Sequence, residues 1–145
     1  MTLDVAGREM VLHSFNSGVP HVVSFWEEVS EADVEGLGRE IRMHQAFQPQ
    51  GTNVNFVQVK DDHRLVVRTY ERGVEAETLA CGTGVVASSI VSALLGEVSS
   101  PVEVTTSGGG ILEVSFATED GEVSDVWLKG DAEEVFSGTV KGDVC

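Results

Sequence analysis

Cys81 stands directly before Gly82-Thr83-Gly84, and the small and apolar residues from Val85 to Leu95 read as a helix. A cysteine at a helix start lies where unpaired backbone N–H groups point outward, and that field favours a thiolate. Glycines let the backbone approach an anion closely, so the same turn could cradle a carboxylate. Two chemistries fit equally well: proton abstraction beside a carboxylate, and nucleophilic attack by sulfur. Taken alone, a cysteine before a buried helix is more often inert packing. Immediately upstream runs the block Thr69-Tyr-Glu-Arg-Gly-Val-Glu-Ala-Glu-Thr-Leu-Ala80, which carries Glu71 and Arg72.

The elements that must position these groups alternate in polarity. His21 to Trp26 reads as a strand after the turn Asn16 to Pro20, and Glu31 to Ala46 as an amphipathic helix carrying Val34, Leu37 and Ile41 on one face. Thr52 to Lys60 reads as a strand with Val54, Phe56 and Gln58 on one side and Asn53, Asn55, Val57 and Val59 on the other. Asp61-Asp-His63 is a turn signal, and Leu65 to Tyr70 is the return strand, aimed at Glu71 and Arg72. The segment Thr83 to Leu95 is small or apolar on every side, so it should be surrounded by protein. Strands follow at Val102–Thr106, Ile111–Phe116 and Val123–Lys129, with a further strand reading at Val135-Phe136 before a polar tail. The expectation is an α/β (α+β) domain, a mostly antiparallel sheet curled around one buried helix, with residues 1–145 as a single domain.

Net charge is −15, from 24 acidic and 9 basic residues, which disfavours nucleic-acid backbones and anionic membranes as partners. No apolar run approaches the roughly 20 residues of a membrane span, and no signal peptide is visible. With two cysteines there is no disulfide framework, and a cytoplasmic setting is expected. A Cys81–Cys145 disulfide is disfavoured by the polar tail that carries Cys145. His13, His21, His44 and His63 lack metal-ligand spacing, and Ser107-Gly-Gly-Gly110 lacks the lysine and helix of a phosphate loop.

Four blocks together resemble the diaminopimelate epimerase family: Gly51-Thr-Asn-Val-Asn-Phe56, Tyr70-Glu-Arg-Gly-Val74, Glu77-Thr-Leu-Ala-Cys-Gly-Thr-Gly84, and Gly130-Asp-Ala132 with Val135-Phe-Ser-Gly138. Their order and spacing agree as well. The resemblance implies two similar domains facing each other across a cleft, each a barrel-like sheet around a helix and each supplying one catalytic cysteine. This chain resembles the C-terminal half alone, and the half with a Cys-Gly-Asn-Gly motif and the second cysteine is absent from the sequence. One position departs from the pattern: the family usually has Gly-Asn-Pro-His where this chain reads Gly18-Val-Pro-His21, and Val19 cannot make an asparagine's hydrogen bonds.

The resemblance implies cofactor-free interconversion of LL- and meso-diaminopimelate, with Cys81 as one of two acid/base thiols and no metal. Gly82 and Thr83 would grip the α-carboxylate, Glu71 and Arg72 the α-amino and carboxylate groups, and Asn53 would contact substrate, with His21 in support. Without the resemblance, Glu71-Arg72 would read as a surface pair, Asn53 as an edge-strand residue and His21 as a structural histidine. The expected partners are the missing half and small-molecule diaminopimelate. Two further readings stand beside this one: another amino-acid racemase or isomerase of the same fold, to which Val19 points, and a non-catalytic half-domain that self-associates as a homodimer.

Overall fold

In the computed structural model, which describes residues 1–142, the chain folds about one curled sheet with a helix on each face. A two-stranded hairpin, β1 (Thr2–Val5) and β2 (Arg8–Val11), precedes it. The sheet then begins with β3 (His13–Asn16) and β4 (Pro20–Phe25). Helix α1 (Val34–Met43) crosses over to β5 (Asn53–Asp61), which lies parallel to β4. The return strand β6 (Arg64–Glu71) and the short β7 (Ala76–Thr78) lead to α2 (Gly82–Leu94). From α2 the chain enters β8 (Val102–Thr106), parallel to β6, and closes with β9 (Ile111–Glu119) and β10 (Glu122–Lys129). The strand order is β10-β9-β8-β6-β5-β4-β3, with β7 continuing the β8 edge of β6. Two pairings are parallel and the rest antiparallel, so the expected mostly antiparallel sheet is what forms.

Period-two alternation divides the core. Val22, Val54, Phe56 and Tyr70 point at α1, which answers with Val34 and Ile41. Val23, Val57, Leu65 and Val67 point the other way, at Val85 and Val91 of α2. α1 starts where the Asp33 carboxylate accepts from the Gly36 N–H at 3.0 Å, later than Glu31, because residues Val29–Glu31 form a separate 3-10 turn. It ends at Met43, before a second 3-10 turn at Gln45–Phe47. α2 is buried from Gly84 through Ser92 apart from Val86, as its all-round small and apolar sequence requires. Its buried Ser88, Ser89 and Ser92 each donate to the carbonyl four residues back, at 2.7, 2.9 and 2.7 Å, and so carry no unpaired hydroxyl into the core.

One expectation needs correction. Val135 and Phe136 do not form a strand: both side chains are above 80% exposed, and residues 130–142 pair with nothing in the sheet. Residues 2–11, to which no element had been assigned, form the β1–β2 hairpin, whose Val5 and Met10 seal the α1 face of the core. The Cys81–Cys145 pairing falls on Cys145, outside the described residues. Among the described residues no helix is long and apolar enough to cross a membrane.

Candidate active site

The site gathers where β4, β5 and β6 run up to the start of α2. Cys81 is the residue before the first helical turn, in extended conformation (φ −137°, ψ 108°), and its side chain makes no capping bond. The amides of that first turn are therefore left for an incoming acceptor. Cys81 is a free, half-buried thiol. Its Sγ lies 3.6 Å from the Thr83 hydroxyl. Gly84 is buried, and a methyl built on it would overlap the Asn55 carboxamide oxygen and stand 3.3 Å from Cys81 Sγ. Glycine here serves close approach between helix and sheet, not an unusual backbone angle.

Strand parity puts His21, Asn55 and Thr69 on the same side of the sheet as Cys81 and α2. His21 is 1% exposed, with Nε2 at 2.9 Å from Thr83 Oγ1 and Nδ1 at 2.9 Å from Asn55 Nδ2. Burial, and secondarily the positive Arg72 nearby, pushes its pKa down to about 4, so the ring is neutral at physiological pH. Asn55 also donates to the Val22 carbonyl at 3.1 Å and accepts from the Thr69 hydroxyl at 2.9 Å. Ser17 donates to the Thr83 carbonyl at 2.9 Å, tying the β3–β4 turn to the helix start.

The remaining expected residues cluster one step away. The Asn53 carboxamide is used at both ends: it donates to the Pro20 carbonyl at 3.1 Å and accepts from the Arg72 N–H at 2.8 Å. It thus holds the end of β6 against β4, which aims Glu71 and Arg72. Arg72 donates to the Gln50 carbonyl at 2.9 Å and forms no ion pair among the described residues. Glu71 is half-buried, and its carboxylate has no hydrogen-bond partner there either. Asn16, near the position where Val19 departs from the pattern, closes its own turn onto the Gly18 N–H at 2.9 Å. A recess of about 300 Å³ opens beside His21, walled by Asn16, Pro20, Phe47 and Gly51.

Three supporting features had little signal in the sequence. Asn55 was legible only as a second polar residue on a buried strand face, two positions after Asn53. The three-residue β7 carries Glu77, which forms a two-pronged pair with Arg68, both contacts at 2.8 Å. Arg68 also donates to the Val29 and Ala32 carbonyls at 2.9 and 3.1 Å, so one guanidinium clasps the strand leading to Cys81 onto the preceding loop. A larger recess of about 560 Å³ lies at the other end of β6, around Asp61, His63 and Glu103. Among the described residues no group of three His, Cys, Asp or Glu is arranged to hold a metal there or elsewhere.

What this arrangement can do chemically is hold a thiol beside a set of uncapped amides, with a cation and a carboxylate nearby and a neutral imidazole behind. Comparison with known proteins agrees with the resemblance read from the motifs. The diaminopimelate epimerase of Aquifex aeolicus is 48% identical over 144 residues, covering 99% of this chain and 50% of that protein. That of Methanocella arvoryzae is 46% identical over 129 residues, covering 88% and 43%. The chain therefore spans about half the length of the curated relatives it matches. Among solved structures, a phenazine biosynthesis protein of the PhzF family from Bacillus anthracis superposes with a TM-score of 0.53 at 19% identity, covering 85% of this chain and 39% of that one. A hydroxyproline epimerase from Agrobacterium vitis gives 0.51 at 14% identity, covering 82% and 40%. At such identities the two structures establish the shared fold alone. The family model described as diaminopimelate epimerase matches residues 13–135, nearly the whole chain, and on that match the chain belongs to the diaminopimelate epimerase family.

Proposed function

We infer that this chain supplies one half of the active site of a cofactor-independent diaminopimelate epimerase, with Cys81 as one of two acid/base thiols. The observation that carries the reading is the Cys81 thiol at an uncapped helix start, 3.6 Å from the Thr83 hydroxyl. The substrate α-carboxylate would sit on the Gly82 and Thr83 amides, with Arg72 and Glu71 receiving the charged groups around the α-carbon. One thiolate takes the α-proton. The electron pair left on carbon is stabilised by the amide dipoles aimed at the carboxylate, and a thiol on the opposite face returns a proton with inversion. One sulfur ends protonated and the other ionised, so the pair exchanges roles and the reaction balances.

The second thiol would come from a part of the protein outside these 145 residues, consistent with relatives of about twice the length. The rim of the site supports this: Leu79, two residues before Cys81, is 75% exposed, and the exposed Leu128 sits against Gly82. Apolar side chains bordering a thiolate site suit a surface that a second half covers and dries.

The test is α-proton exchange of LL- and meso-diaminopimelate in D2O, followed by NMR. The expected result is no inversion by this chain alone. Inversion should appear when the N-terminal half of the Aquifex aeolicus relative is added, and disappear again with Cys81→Ala. Inversion by the chain alone would overturn the half-site reading, and full activity of Cys81→Ala in the mixture would overturn the role of the thiol.

A further inference from the structure

Asn55 lies at the centre of the polar row behind Cys81 and is completely buried. Its amide nitrogen faces both the Val22 carbonyl, at 3.1 Å, and His21 Nδ1, at 2.9 Å, while its oxygen accepts from Thr69. A backbone carbonyl can only accept, so the group facing Val22 has to be the NH2. The second N–H of that same NH2 points at His21 Nδ1, which has to accept it. The ring is neutral, because burial and Arg72 disfavour a second proton. Its single proton therefore sits on Nε2, 2.9 Å from Thr83 Oγ1. Having accepted from the ring, the Thr83 hydroxyl keeps its own proton for another acceptor, and the Cys81 sulfur stands 3.6 Å away.

We propose that Asn55 is a positioning residue that sets the direction of the chain Asn55→His21→Thr83→Cys81, so that the Thr83 hydroxyl donates to the Cys81 thiolate. The proposal rests on Cys81 as the working base but not on the identity of the substrate. It explains why a fully buried strand position holds a carboxamide. An apolar residue would fill the volume but leave the tautomer of His21 open. A carboxylate at position 55 would accept from Nδ1–H, and a ring still neutral would then offer Thr83 a lone pair. The hydroxyl proton would turn toward the ring and away from sulfur.

The experiment reads the tautomer and the thiol directly, on this chain without substrate. Histidine-selective 15N NMR of the wild type is expected to show His21 with bare Nδ1 and protonated Nε2, and Asn55→Asp to show a protonated Nδ1. In a Cys145→Ser background, so that Cys81 alone reports, Thr83→Val is expected to slow iodoacetamide alkylation near pH 7 roughly three-fold. The effect stays that small because a more basic thiolate is also a better nucleophile, which offsets part of its lower abundance. A protonated Nδ1 in the wild type, or alkylation of Thr83→Val at the wild-type rate, would overturn the proposal. Should Asn55→Asp fail to fold by circular dichroism, the wild-type tautomer and the Thr83→Val rate decide alone. Failure of the epimerase reading would leave these readouts unchanged, and failure here would leave the exchange assay unchanged.

Discussion

Gly82 and Gly84 sit two residues apart in the first turn of α2, yet the structure assigns them opposite responses to the same methyl group. At Gly82 the added Cβ would meet only Leu128 Cδ2, at 3.3 Å, the end of an exposed side chain that can rotate away. Relief of glycine's backbone entropy, about 0.5 kcal/mol near a helix end, then balances the small displacement, and Gly82→Ala should lie within about 0.5 kcal/mol of wild type. At Gly84 the methyl would overlap Asn55 Oδ1. That carboxamide is held by Val22, His21 and Thr69 and has no free direction. Overpacking of about 1–3 kcal/mol plus one lost hydrogen bond of about 1 kcal/mol, less the helix gain, leaves a net cost of roughly 2–3 kcal/mol. For a domain of this size the midpoint temperature should fall by roughly 6–12 °C. Urea unfolding of both variants beside wild type measures the difference. Equal stability of Gly84→Ala and Gly82→Ala would refute the claim that Asn55 is immobile and that Gly84 is there to admit it.

Arg68→Lys keeps the charge but loses the fork that holds both Glu77 oxygens and two carbonyls, so a cost of roughly 2–3 kcal/mol is expected in the same urea assay. The hydrogen bond from Arg68 holds the Glu77 carboxyl below its ordinary 4.5; that stabilisation is fully present above about pH 4.5 and fades as pH falls through the native value, so the wild type should lose stability there more steeply than the variant. Parallel acid limbs would rule the linkage out. His21 is lowered from 6.5 to about 4, so the unfolded chain binds the extra proton first. Stability is whole above about pH 6.5 and declines toward pH 4 by at most about 3 kcal/mol, and His21→Gln should flatten that interval; an unchanged slope would show that the ring is not kept neutral by the fold.

Much of the fold was legible because its signals are local. Asn53, Asn55 and Val57 alternate with Val54 and Phe56, and that alternation alone divides the two faces of β5 correctly. α2 announced its burial by having no polar face. The misses share a cause: their structure depends on partners far away in the sequence. Residues Ala76–Thr78 are too few to show a period and become β7 only because β6 offers them an edge. Val135-Phe136 shows the converse: two apolar residues alone do not make a strand, and both stay exposed. The start of α1 was set by Asp33, whose capping bond outweighs the helical pattern read from Glu31.

The site divides along the same line. Cys81, Gly82 and Thr83 could be singled out because their chemistry lies in the backbone of one turn, and a turn is a local object. Asn53 was read as touching substrate; its carboxamide also bonds Pro20 and Arg72, which leaves one N–H and one lone pair for a ligand, and those two bonds could not be foreseen from the strand pattern. Asn55 was read only as a polar residue on a strand face. Its role depends on the register that sets it beside Val22 and Thr69, and on a ring 34 residues away. Residues that hold catalytic groups in place are therefore harder to read than the groups themselves. A reactive group is defined by its own chemistry, whereas a positioning residue is defined by which lone pair it faces, and that is settled by pairing across the sheet. Thr83 stands at the meeting of the two: its backbone belongs to the local turn, whereas its hydroxyl meets a His21 ring that only the sheet register brings within 2.9 Å.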